Sequence, residues 1–136
     1  MRRSVIAASA LLCLAAIASL ASAQAATPTC VAGVKGVAPT ATVTFTPPAT
    51  QSDGTAFPSG TTLTYNLYQG TSSGAEVKVA SSSSGSPITV NTGIVGATTY
   101  YWYVTVVDAN GESAPSNEVC KSFPAPLPGV VTITIQ

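Results

Sequence analysis

Residue types that commonly carry out catalysis are scarce in this chain of 136 residues. It contains no histidine, which excludes a Ser-His-Asp triad, a Cys-His pair and an imidazole metal ligand. Asp108 and Glu112 offer two spaced carboxylates of the kind a glycosidase uses, but they flank a turn, where solvated charge is the simpler interpretation. Nucleotide-binding and calcium-binding patterns are absent from the sequence. We therefore expect a protein that is not an enzyme and that uses no metal and no cofactor.

Cysteine is the remaining reactive residue type, and its three copies fall into two groups. Cys13 lies in an apolar N-terminal stretch, whereas Cys30 and Cys120 lie near the two ends of the rest of the chain. In an exported protein, two such thiols favour a single disulfide. The alternative is a pair of free or intermolecular thiols.

The first 23 residues have the features of a secretory signal peptide. Arg2 and Arg3 precede an uncharged stretch from Ser4 to Leu20, and Ala21-Ser22-Ala23 supplies the small residues that signal peptidase recognises. We expect cleavage before Gln24. The alternative is an uncleaved anchor, since the apolar run approaches the length of about 20 residues that spans a bilayer.

Cleavage would leave a domain over residues 24–123 and a tail over residues 124–136. Three lysines and five carboxylates then give the mature chain a net charge of −2. Because no basic patch is present, we expect no nucleic-acid partner, and no membrane partner after cleavage. The expected location is secreted, periplasmic or at a cell or virion surface.

The elements that would position these side chains are all strands. No stretch of the mature chain has the apolar period of a helix, whereas alternation recurs between clusters of Gly, Pro and Ser. Seven short strands of this kind predict an all-β sandwich of two sheets. We place them at residues 31–37, 42–46, 63–68, 76–80, 87–92, 99–107 and 117–123.

The strand over residues 99–107 carries most of the aromatic residues. Its period of two places Tyr100 and Trp102 on one face and Tyr101 and Tyr103 on the other. The Asn110-Gly111 pair that follows favours a type I′ hairpin turn.

Three segments in this order resemble a fibronectin type III domain: TVTFTPP from Thr42, LTYNLYQG from Leu63 and IVGATTYYWYVTVVDANGESAPSNEV from Ile94. The resemblance covers residues 29–123 and implies a seven-stranded immunoglobulin-like β-sandwich of two antiparallel sheets. It implies that Tyr100 forms a tyrosine corner and that Trp102 is buried. Phe45 stands where the family usually has Trp.

The resemblance also implies where side chains meet. It brings the first and last strands to neighbouring edges, so that Cys30 and Cys120 could be joined. Two loops would emerge at one end of the sandwich, where the family often binds partners. These loops carry the candidate binding residues Phe57, Asp108, Asn110 and Glu112, although Phe57 could instead fold back over the core.

A second candidate surface is the outer face of the sheet, where Tyr68 would lie beside Tyr101 and Tyr103. Exposed tyrosines on adjacent strands could form a platform that contacts a sugar or a protein. The alternative interpretation is that they form cross-strand pairs that stabilise the sheet.

The tail combines a spacer containing three prolines with an uncharged, β-branched segment. Val131, Ile133 and Ile135 alternate in it and form a candidate assembly strand. This segment could pair with its own domain, add to the sheet edge of another subunit or partner, or be disordered.

These features predict a secreted, non-enzymatic binding or adhesion module whose ligand is a protein or a carbohydrate at a surface. The alternative is a structural subunit of a filament, virion or appendage that self-assembles through its C-terminal strand.

Overall fold

The computed structural model describes residues 27–134, so the predicted signal peptide, its cleavage site and Ile135 lie outside the described residues. The described part contains eight strands and no helix that could cross a membrane. The strands are β1 (Val31–Ala32), β2 (Ala41–Val43), β3 (Thr64–Gly70), β4 (Val77–Ser82), β5 (Ile88–Val90), β6 (Thr98–Asp108), β7 (Gly111–Glu112) and β8 (Val119–Phe123).

The strands form two sheets, as predicted. The larger sheet has the order β1-β8-β6-β3-β4, with β7 also paired to β6, and the smaller sheet consists of β2 and β5. The 11-residue strand β6 pairs with β3 along one edge and with β7 and β8 along the other, so it organises the larger sheet.

Every second side chain of β3 and of β6 points into the core between the two sheets. Tyr100 and Trp102 are buried, and Leu67 on β3 is completely inaccessible to solvent. Tyr101 and Tyr103 are half-buried on the opposite face, so the predicted division of the aromatic block is confirmed. The other buried apolar residues are Ala41, Tyr65, Ile88, Val90, Ile94, Val104, Cys120 and Phe123.

Tyr100 forms the expected tyrosine corner. Its hydroxyl donates to the carbonyl oxygen of Gly93 at 3.2 Å and accepts from the backbone N–H of Val95 at 3.1 Å. These two hydrogen bonds attach the β5–β6 connection to the central strand. Ile94, between the two bonded residues, is buried in the core.

The first strand differs from the prediction. A turn at Lys35 and Gly36 shortens it to two residues, and Gly36 has a φ of 79° that favours glycine. The strand β1 pairs with β8 in parallel, so one strand pair of the larger sheet departs from the antiparallel pattern. A disulfide joins Cys30 to Cys120, with a Cα–Cα distance of 4.6 Å, and thereby fixes this pairing.

The β6–β7 hairpin corrects the predicted type I′ turn. Its two turn residues are Ala109 and Asn110, and neither has the positive φ that such a turn requires. The side chain of Asp108 accepts hydrogen bonds from the backbone N–H groups of Asn110 and Gly111 instead, at 2.7 and 3.2 Å. These local hydrogen bonds favour a turn in which Ala109 and Asn110 have no positive φ. The positive φ, 141°, is found at Gly111, the residue after the turn.

The predicted last strand, residues 117–123, is observed as β8, and a short additional strand, β7, precedes it. Between them, the Ser116 and Ser113 hydroxyls accept from the backbone N–H groups of Val104 and Val106, both at 3.0 Å. The same two serines donate their own N–H groups to the carbonyls of these valines. Serine side chains therefore complete a ladder that the intervening Pro115 would otherwise interrupt.

Candidate functional site

A cleft of about 590 Å³ opens at the end of the sandwich where the β2–β3 loop and the β6–β7 hairpin emerge. This volume falls within the range of roughly 300–1,000 Å³ that is typical of ligand sites. Apolar side chains from the larger sheet and from the β2–β3 connection line its walls: Phe45, Phe57, Leu63, Tyr65, Val104 and Val106. The cleft is therefore an open continuation of the core.

The β2–β3 loop is held in a defined shape by its own hydrogen bonds. Thr50 and Ala56 form an isolated antiparallel bridge, and the N–H of Gln51 donates to the carbonyl of Thr55 at 2.8 Å. Asp53 accepts from the Thr55 hydroxyl at 2.7 Å and from its N–H at 2.9 Å, and these bonds lower the pKa of Asp53. One rim of the cleft is thus preformed.

The opposite rim is the hairpin tip, where two predicted binding residues contact each other. The Asp108 carboxylate accepts from the backbone and the side-chain amide of Asn110, at 2.7 and 3.1 Å. The backbone bond from Asn110 is the main cause of the lowered pKa of Asp108. Both residues line the cleft, and both carboxylate oxygens of Asp108 take part in holding the turn.

Phe57 lies half-buried in the cleft wall, between its two predicted positions. It shares this wall with Phe45, whose ring packs against Tyr65 with centroids 5.0 Å apart. Phe57 therefore presents part of its ring to any ligand that enters the cleft.

The outer face of the larger sheet brings together a different part of the predicted site. Tyr68 and Tyr103 are directly opposed on β3 and β6, and their rings stack with centroids 4.7 Å apart. Tyr101 lies two residues along, opposite Gly70 and Cys120. This is the geometry of a cross-strand pair, in which each stacked ring covers one face of the other.

Glu112 is the centre of a hydrogen-bonded cluster on this outer face. Its Oε1 atom accepts from Asn66 at 3.0 Å, from the Tyr68 hydroxyl at 2.8 Å and from the Thr105 hydroxyl. Asn66 in turn accepts from Ser81 at 2.7 Å. The three donors, led by Thr105, lower the pKa of Glu112 to about 2, and the Glu112 carboxylate raises the pKa of Tyr68.

The sequence did not identify Asn66 and Thr105 as members of this cluster, although both are buried. The available signal was that two polar residues occupy outward positions on strands next to a glutamate. The cluster itself depends on the register of three strands, which the pattern of one strand does not reveal.

A second pair of carboxyl groups also escaped prediction. Glu118, just before β8, accepts from the Ser73 hydroxyl at 3.1 Å and from the N–H of Gly74 at 3.3 Å. Glu76 lies beside it, and burial together with the Glu118 carboxyl raises the pKa of Glu76. Residues 27–134 contain no group of three side chains that could bind a metal ion.

No protein-family model and no curated protein matches the chain. Among solved structures, a Fn3-like protein from Clostridium thermocellum is similar, with 25% identity and a TM-score of 0.47. The likeness covers 71% of this chain and 94% of the other.

The strand order β8-β6-β3-β4 opposite β2-β5, with a tyrosine corner on β6, is the arrangement that the sequence resemblance implied. The domain is thus a two-sheet β-sandwich. Its cleft lies between the two loops that the resemblance placed at one end, whereas the tyrosine stack lies on a sheet face.

Proposed function

We propose that the protein is a secreted, non-catalytic binding module at a cell or virion surface, and that an apolar side chain of a partner protein enters the cleft. The apolar wall of the cleft, between two preformed loops, is the observation that supports this proposal most strongly. Preformed sites lose little conformational entropy when a ligand binds.

The state of the polar groups at the rim favours a protein ligand over a carbohydrate. Carbohydrate sites use charged and polar side chains to bond sugar hydroxyls, but the Asp53 and Asp108 carboxylates are engaged within their own loops. The wall that contains Phe45, Phe57 and Leu63 is apolar and aromatic, which suits an anchoring side chain of a protein.

The charges beside the cleft also restrict the charge of the partner segment that could bind there. Asp108 and Glu112 are the charged residues that line it, and both are acidic. An acidic ligand segment would be repelled, so the partner presents a neutral or basic segment around its apolar anchor.

Non-catalytic action and export are supported by the residue inventory. The chain has no histidine, and both cysteines of the described part form one disulfide. Such a disulfide is typical of proteins that fold in an oxidising compartment.

A random peptide library selected on the wild-type domain tests this proposal. We expect the selected peptides to carry an apolar residue with neutral or basic neighbours. Phe57→Ala should weaken their binding by roughly tenfold or more, about 1.4 kcal/mol. Val77→Ala, which truncates an apolar residue that is 65% exposed on β4, is the matched control.

Thermal unfolding of both variants checks that they are folded. Ala114→Arg is a second probe, because Ala114 is an exposed residue of the cleft wall whose replacement leaves the core intact. Selected peptides that bind Phe57→Ala and Ala114→Arg as tightly as the wild type would refute a site in the cleft.

The exposed C-terminal segment supports a second candidate function, that of a structural subunit assembled through its C-terminal strand. Val130, Val131 and Ile133 are 97%, 83% and 82% exposed, and residues 124–134 carry no strand. These residues do not pair with their own domain, so exchange with a neighbour is the remaining way to bury them. Truncation after Phe123 should abolish oligomers, which light scattering would detect, and oligomers that survive it would contradict this function.

A further inference from the structure

The smaller sheet has an edge that lacks a strand. Within residues 27–134, β2 pairs with β5 alone, and no backbone hydrogen bond reaches its other edge. The side chain of Lys121 donates to the carbonyl of Thr40 at 3.2 Å, just before β2 begins. From Ala41 onward the edge is open.

The disulfide explains why the edge is open. It holds the chain at Cys30 beside Cys120, and the next residues pair in parallel with β8 of the larger sheet. Gly33 extends this attachment by donating its N–H to Ser122 at 2.7 Å. The N-terminal strand is therefore fixed to the larger sheet and cannot cover β2.

The other long edge of the molecule is less suited to accept a strand. Within the described chain β4 pairs with β3 alone, but its register shifts opposite Leu67 and Tyr68, and it carries Lys78. Bulges and lysines are features that protect sheet edges from pairing with another chain. The segment that contains β2, TATVTFT from Thr40 to Thr46, has neither charge nor a register shift.

The tail matches the open edge in length and pattern. Val131 and Ile133 alternate with Thr132 and Thr134, as Ala41 and Val43 alternate with threonines on β2. Thr42 already faces Thr89 of β5, with hydroxyl oxygens 3.4 Å apart. A strand added at this edge would place threonines in line with this pair and apolar residues toward the core.

The start of the tail packs against the base of its own domain. A small cavity forms where Pro124, Ala125 and Pro126 pack against residues 36–39 and Gly96 at the base of the sandwich. A third proline, Pro128, follows, and such spacing favours a stiff, extended spacer. Residues 130–134, which follow this spacer, are exposed and carry no strand.

We propose that residues 130–134 of one copy add as a strand to the open edge of β2 in a second copy. This inference rests on the second candidate function, assembly through the C-terminal strand, and names the edge that accepts it. The strand β2 itself, Ala41–Val43, contributes no residue to the binding cleft.

Cysteine cross-linking between two purified variants of the full mature chain tests the acceptor edge. One variant carries Thr132→Cys and the other Thr42→Cys, and they are mixed and oxidised, so that a mixed dimer can form only between copies. The matched control replaces Thr42→Cys by Lys78→Cys on the β4 edge. Intact mass identifies the mixed dimer, and peptide mapping checks that Cys30 and Cys120 remain joined.

We expect a dominant mixed dimer with Thr42→Cys and little with Lys78→Cys. A dimer through Lys78→Cys instead would overturn the β2 edge and leave assembly through the tail intact. Monomers in light scattering, with no cross-link in either mixture, would overturn both the edge and the second candidate function. A monomeric cross-link within one chain that carries both Thr42→Cys and Thr132→Cys would show that the tail pairs with its own domain.

Discussion

Tyr68 and Tyr103 stack across two adjacent strands with ring planes only 14° apart. The Tyr68 hydroxyl is already bonded to Glu112, so both its ring and its polar tip are engaged within the sheet. The aromatic residues of β6 therefore divide into a buried pair that builds the core and an outward pair that includes a cross-strand stack. The cleft at the loop end is left as the better candidate for binding.

Replacing Tyr100 by phenylalanine should destabilise the domain by about 1–3 kcal/mol, because the hydroxyl makes two hydrogen bonds at the tyrosine corner. Urea unfolding monitored by tryptophan fluorescence would measure this loss. Tyr103→Phe is the matched control, since no side-chain hydrogen bond of the Tyr103 hydroxyl is found in the described part of the chain. Equal stability of the two variants would show that the corner contributes little.

The stability contributed by Glu112 should depend on pH. The pKa of its carboxyl falls from an ordinary value of 4.5 to about 2 in the folded protein. A lowered pKa stabilises the fold fully above the unfolded value, and this contribution is lost as pH falls toward the folded value. The advantage of the wild type over Glu112→Gln should therefore be largest above pH 4.5 and vanish near pH 2. Thermal unfolding across this range measures it, and a constant difference would contradict the cluster.

Replacing Glu76 by glutamine should stabilise the domain at neutral pH. Burial and the neighbouring Glu118 carboxyl raise the pKa of Glu76, so ionisation at neutral pH opposes folding. The pair lies near the surface, where such charges contribute roughly 0.2–1 kcal/mol, and the gain should lie in that range. Denaturant unfolding at pH 7 and at pH 4 measures it, and a gain as large at the lower pH would argue against charge repulsion.

Removing the disulfide should cost about 4–5 kcal/mol in the chain-entropy model, because it closes a loop with a sequence separation of 90. Denaturant unfolding of a variant with both Cys30→Ala and Cys120→Ala would measure the loss. Intact-mass measurement after alkylation without reductant checks the bond itself. Two alkylated thiols in the native protein would contradict it.

The strand pattern predicted the faces of β6 because alternation is a local property of an extended chain. The tyrosine corner followed from the resemblance. The pairing of Cys30 with Cys120 followed from the two cysteines left in an exported chain, together with the neighbouring edges that the resemblance implied. Both were confirmed in the structure.

Other features depended on contacts that a single strand does not encode. The hairpin turn was decided by the side chain of Asp108, which bonds to the two residues that were expected to set the turn type. The parallel pairing of β1 with β8 depends on the disulfide, which holds the start of the chain beside β8. The Glu112 cluster requires the register of β3, β6 and β7 together.

Amide NMR spectra of the isotope-labelled domain, titrated with a peptide selected from the library, test the central claim most directly. If an apolar side chain enters the cleft, shifts will concentrate in residues 51–59 and 104–113. Shifts centred on Tyr68, Tyr103 and β4, with the loops unchanged, would contradict the account and assign binding to the sheet face.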